Sequence, residues 1–197
     1  EGYTDVLACV RAGLKDAVAA LGTAFTDEHA KQVSRLAKTA VVLLDGDAAG
    51  IRASYGAAEK LIRAKLKTVV AALPPGEDPD SLLSKQGPDA LKVVVEAARP
   101  AAEYFIEVAF SDSTMSIEDR VEAAAELAPV IDAYGEGLSR ELYLDQLSQK
   151  VGVSVEKLQK HVAEVLAKKK NKAKKGPRRT ASKPENYEPD GFQDAPP

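Results

Sequence analysis

Val41-Val42-Leu43-Leu44-Asp45-Gly46-Asp47-Ala48-Ala49-Gly50 is an apolar run, an acidic turn and the opening of a new pattern, in that order. The four aliphatic residues do not alternate with polar ones, as expected of a strand buried on both faces. Val69-Val70-Ala71-Ala72-Leu73 is a second run of the same kind. Between them Ile51, Tyr55, Ala58, Ile62 and Leu66 recur at helical spacing. Strand, helix, strand is a parallel crossover unit.

Working outward, Asp5 to Ala12 reads as a helix ended by Gly13, and Ala17 to Ala20 as a short buried strand. Thr26 is placed to cap a helix with Asp27 and Glu28 in its first turn, running towards Lys38. The first part is therefore predicted to be an α/β layer, a parallel sheet with helices on it, over residues 1–100. From Pro100 onward the periodicity is helical. Ser116-Ile117-Glu118-Asp119 resembles a helix start, Gly135 and Gly137 break the chain, and Gly152 ends the next helix before a Ser154 cap. Residues 101–167 are expected to form an all-α subdomain. From Lys168, lysine, proline and glycine dominate, and 168–197 reads as a disordered basic linker with too little apolar surface to offset ordering entropy.

Composition narrows the class. With 45% apolar residues, 5% aromatics and no Trp, the core must be aliphatic. No apolar run approaches the roughly 20 residues that span a bilayer, and no leader pattern opens the chain, so a soluble, non-exported protein is expected. The chain begins at Glu1 without Met and reads as a piece of a longer protein. Cys9 stands alone, which excludes a disulfide framework or a Cys-rich zinc site within the chain; a buried, inert thiol is the expectation. The net charge of −3 hides two unlike parts: residues 168–197 hold nine Lys/Arg against four Asp/Glu, leaving 18 basic and 26 acidic residues, net −8, for 1–167. An acidic body is a poor footprint for binding nucleic acid through phosphates alone, and suits one that concentrates carboxylates for metal.

Those carboxylates fall in three clusters. Asp45 and Asp47 follow directly on the 41–44 strand, at the carboxyl edge where parallel sheets build sites. Glu1 and Asp5 flank Gly2, and Asp78 and Asp80 follow the 69–73 strand. Each cluster alone could be capping or turn chemistry. Together, crowded carboxylates would in part take up protons unless a cation neutralised them, and oxygen ligands without His or Cys suit Mg²⁺ or Mn²⁺. Metal-assisted phosphoryl transfer is the reaction class implied.

The segments EGYTD (1–5), ALGTAFT (20–26), VVLLDGDAAG (41–50) and LPPGEDPDSL (73–82) resemble the Toprim core of bacterial DnaG-type primases. The likeness extends to about residue 165, through Arg140, Glu141, Tyr143 and Leu144, which look like the helical end of the primase polymerase domain; Pro75 stands where an acid is common. The resemblance implies a nucleotidyltransferase that makes short RNA primers on single-stranded DNA. It implies Glu1, Asp45 and Asp47 as catalytic, metal-binding carboxylates, and Asp5, Asp78 and Asp80 as further positions around a second Mg²⁺ or Mn²⁺. It also implies ribonucleoside triphosphates as substrates, a monomer in the cytoplasm at the replication fork, zinc only on an amino-terminal domain outside this chain, and a replicative helicase bound through a carboxyl-terminal domain outside it. Without its basic half, the piece is expected to be inactive alone. A Toprim nuclease or topoisomerase is the alternative enzyme. A non-catalytic docking module, using the helix-turn-helix-like segment 146–162, is the alternative of another class.

Other residues divide between plain and functional readings. His29 and His161 read as surface histidines, and Lys60, Arg63 and Lys65 as a solvated helix face. Arg52, in the first turns of the helix after Asp47, could reach a phosphate. Segment 146–162 reads better as a packed helical hairpin than as a groove-reading motif, because its second helix offers Glu156, Lys157, Gln159 and Lys160, a mixed face.

Overall fold

The computed structural model describes residues 2–22, 24–44 and 48–174. In chain order the elements are α1 (Tyr3–Arg11), α2 (Asp27–Leu36), β1 (Thr39–Leu44), α3 (Ala48–Arg63), β2 (Lys67–Ala72), α4 (Pro79–Gln86), α5 (Pro88–Glu96), β3 (Arg99–Pro100), α6 (Ala101–Ala109), α7 (Ile117–Asp132), α8 (Leu138–Val151) and α9 (Val155–Lys174). The fold is α/β. β1 and β2 pair in parallel, from Thr39 opposite Lys67 to Leu44 opposite Ala72, with α3 as the crossover. The sheet is mixed, not purely parallel, because the two-residue β3 joins β2 antiparallel.

Helix starts follow the local chemistry. Thr26 Oγ1 accepts from His29 N–H at 3.2 Å, so α2 begins where the sequence places its cap. Ser116 does the same for Asp119 N–H at 3.1 Å at the head of α7. Gly152, at φ +83°, takes the left-handed turn that ends α8, a conformation that costs glycine nothing.

Five expectations are corrected. Ala17–Ala20 is not a strand; it runs as irregular chain, and Val18 is 76% exposed. β1 is not buried on both faces: it pairs only with β2 among the described residues, and Val41 is 42% exposed. Residues 168–174 are helix and not linker, because α9 continues into the lysine run; the rest of the expected 168–197 linker lies outside the described residues. His161 is not simply a surface residue: its Nε2 is shielded from solvent without a hydrogen-bond partner among the described residues. Arg63, read as part of a solvated face, ties α3 to α7 by pairing with Glu59 at 3.2 Å and Asp132 at 3.1 Å.

The main core ignores the boundary near residue 100. Ala58, Ile62 and Val70 of the α/β layer pack with Phe105, Leu127, Leu144, Leu158 and Val162 of the helices. Leu147 and Ser148 of α8 and Leu158 and Val162 of α9 are buried, as a packed helical hairpin requires. A second cluster joins α1 (Ala8, Ala12), the chain after β2 (Leu73), α4 (Leu82, Leu83) and α5 (Leu91), with Leu43 of β1 against it. It gathers the carboxyl ends of both parallel strands and the helices beside them. Among the described residues, no helix is long and apolar enough to cross a membrane.

Candidate active site

Glu1, Asp45 and Asp47 lie outside the described residues, but the elements that carry them are defined. α1 begins two residues after Glu1, and β1 ends at Leu44, immediately before Asp45. α3 starts at Ala48, immediately after Asp47. The parallel register puts Leu44 beside Ala72, so β1, which ends just before Asp45, and β2, which ends just before Leu73, finish at the same edge of the sheet.

Asp5, Asp78 and Asp80 are described, and they differ. Asp5, half-buried at the third position of α1, turns Oδ2 back to accept from Gly2 N–H at 2.8 Å. Asp78 is the cap of α4: its Oδ1 accepts from Ser81 N–H at 2.6 Å. Asp80, half-buried in the first turn of α4, makes no hydrogen bond or ion pair among the described residues. Glu77 beside them is committed: Lys85 Nζ donates to one oxygen at 2.7 Å and Ser81 Oγ to the other at 2.6 Å. Lys85 first, then Ser81, hold this carboxyl below the usual carboxylate range.

Packing of α1, which carries Asp5, on α4, which opens at Asp78–Asp80, runs through a shared apolar cluster. It does not bring these acids together as ligands: among the described residues, no three His, Cys, Asp or Glu side chains are grouped to hold an ion. Two of the three described acids thus act as cap residues, the plainer reading of each cluster, and Asp80 is the one with free oxygens. Burial first, then the Asp5 carboxylate, push the Cys9 thiol up, which keeps it protonated and inert. Arg52 is 70% exposed in α3, with Glu126 of α7 at 3.9 Å.

What sequence reasoning missed is a groove of about 340 Å³ between α3, the end of α6 and α7, beside Arg52. Tyr55 forms part of its wall, edge-on to Phe105 with ring centroids 4.6 Å apart. Burial, then the Glu126 charge, push the Tyr55 phenol up, so it stays neutral. The signal was present as Asp119, Glu122 and Glu126, one acidic stripe opposite the apolar stripe of the predicted helix.

The model of the Toprim-like family matches residues 1–83, and that of the DnaB-helicase binding domain of primase matches 102–156. The DNA primase of Listeria monocytogenes is 32% identical over 170 residues, 84% of this chain and 27% of that protein. The chain is similar to DnaG-type primases over most of its length. The crystal structure of a DNA primase domain from Pseudomonas aeruginosa superimposes with a TM-score of 0.66 at 33% identity, covering 83% of this chain and 52% of that one. A DnaG primase catalytic domain bound to single-stranded DNA gives 0.62 at 29% identity, covering 80% and 51%. The chain thus spans 27% of the Listeria primase, about a quarter of a curated relative's length. The sequence reading put helicase contact on a domain outside this chain, whereas the helicase-binding match falls within it, on α6 to the start of α9.

Proposed function

We propose that the protein to which this chain belongs makes short RNA primers on single-stranded DNA, and that residues 1–100 carry its metal-binding catalytic centre. The 3′-hydroxyl of one template-bound ribonucleotide attacks the α-phosphate of the next, and pyrophosphate leaves. Glu1, Asp45 and Asp47 hold the metals, with Asp80 as a further ligand and Asp5 and Asp78 shaping the helix starts around them. Their all-oxygen donor chemistry fits Mg²⁺ or Mn²⁺, ions that orient a triphosphate and lower the pKa of the attacking hydroxyl. Arg52, solvent-facing in α3, is our candidate for a nucleotide phosphate.

What supports this reading is the strand register: two strands that each precede an acidic stretch of sequence end at one sheet edge, at Leu44 and Ala72, in the segment that matches the Toprim family. An acidic body needs cationic help to hold a template, and we assign that help, with any zinc, to parts of the protein outside this chain. Residues 101–167 act as the packed helical end and contribute to docking the replicative helicase, with the protein working as a cytoplasmic monomer. The test is Asp45→Ala in the intact parent. Primer synthesis should fall below detection while the melting temperature holds, and retained synthesis would sink the assignment.

A further inference from the structure

The groove between α3 and α7 borders Arg52, our candidate for a nucleotide phosphate, but its other lining residues have no part in the chemistry proposed above. Its floor is apolar, formed by Ile51 and Tyr55 of α3 and Met115 ahead of α7, all half-buried. Its rim carries three carboxylates, Asp119, Glu122 and Glu126 of α7, all exposed, against one cation, Arg52 of α3. Those three stand at i, i+3 and i+7, a single helix stripe about 10 Å long at 1.5 Å per residue. Little of this charge is compensated. Glu122 makes no ion pair among the described residues, and Glu126 has Arg52 at 3.9 Å with both side chains open to solvent. Asp119 is held by the Ser116 hydroxyl at 2.7 Å and N–H at 3.2 Å, both neutral donors.

An apolar floor beside a carboxylate stripe selects for an occupant with both characters. A large apolar side chain would fill the floor, and Lys or Arg at matching helical spacing would meet the rim. Phosphate backbones are repelled by the same stripe, which rules against template as the occupant. The α6 and α7 walls lie within the segment that matches the helicase-binding domain of primase.

We propose that the α3–α7 groove docks a cationic amphipathic helix of the replicative helicase, a proposal that rests on the helicase reading above. The competing surface in the same segment is the exposed apolar pair Leu138 and Leu142 on α8, which has only Glu141 and Asp145 beside it.

The experiment titrates this chain with the purified replicative helicase of the same organism, by calorimetry at low and at moderate salt. Three forms are compared: wild type, Glu122→Lys with Glu126→Lys, and Leu138→Ser with Leu142→Ser. All substituted side chains are exposed, and thermal melts check that each variant folds. The expected result is wild-type affinity that weakens with salt, at least a tenfold loss in the charge-reversed form, and an unchanged α8 form. Glu122→Gln with Glu126→Gln should fall between wild type and reversal. Unchanged affinity in the charge-reversed form, or loss confined to the α8 form, overturns the groove while leaving helicase docking intact. No binding by the wild type overturns helicase docking by this chain, and the groove with it.

Discussion

Replacing Phe105 by Ala should weaken the α/β layer and the helices together. Its ring is 0% exposed and lies edge-on to Tyr55 of α3 at 4.6 Å and to Tyr104 at 5.9 Å between centroids. It belongs to the cluster that holds Ala58, Ile62 and Val70 from one side and Leu127, Leu144 and Leu158 from the other. Truncating a buried Phe costs about 3–5 kcal/mol, because transferred area and a residual cavity both count. The aromatic edge contacts place this site towards the upper end. Against a typical stability of roughly 5–15 kcal/mol, that is a large share. For a chain of this size each kcal/mol moves the midpoint by roughly 2–4 °C, so a fall of about 6–20 °C is expected. The assay is thermal melting followed by hydrogen exchange, reading Val70 in β2 and Leu144 in α8. One transition with protection lost equally at both positions is the expected result. Two separate transitions, or a β2 protected as in wild type, would refute the single shared core.

Divalent metal should raise the melting temperature of this chain relative to chelator. By mass action, free Mn²⁺ at ~100 times its dissociation constant adds about 2.7 kcal/mol, and an equal gain in Asp45→Ala with Asp47→Ala would refute those ligands. Asp78→Ala should cost about 1 kcal/mol through the lost α4 cap, whereas Asp80→Ala should leave the melt unchanged but cut primer synthesis by the parent; the reverse pattern would exchange their roles. Glu77 is held below the usual carboxylate range by Lys85, so its contribution is complete above the unfolded value and is lost as pH falls through the folded one. Denaturant melts between neutral pH and pH 3 should therefore show a smaller acid loss in Lys85→Met than in wild type, and identical losses would exclude the pair as a source of acid sensitivity.

The parallel crossover was legible because it rests on the most local signals, two aliphatic runs and a helical repeat between them, and both strands and α3 formed where those signals lie. The helix starts at Asp27 and Ile117 were legible for the same reason: Thr26 and Ser116 reach backbone donors only three residues away. Ala17–Ala20 failed because a short apolar run reports on hydrophobicity and not on a partner, and the sheet among the described residues holds only β1, β2 and β3. The extension of α9 was missed because lysines favour a helix as readily as a linker, and apolar stripes at Leu158, Val162 and Leu166 had already nucleated the turns before them. The groove was missed because it is made by the approach of α3 to α7, far apart in the chain.

The candidate site was legible as a set of acids but not as a division among them. A carboxylate at a helix start and a carboxylate at a metal use the same oxygen lone pairs, occur after the same kind of strand, and sit beside the same small residues. Spacing therefore cannot separate them; counting donors can. Asp78 has spent one oxygen on Ser81 N–H, Asp5 has turned one to Gly2 N–H, and Glu77 has given both to Ser81 and Lys85. Asp80 alone of the four keeps both oxygens free of hydrogen bonds among the described residues, and it stands in the first turn of α4, where the helix dipole already stabilises its charge. Fixed carboxylates nearby hold the backbone still, and Asp80 is the one whose proposed role as a ligand the hydrogen bonds among the described residues leave open.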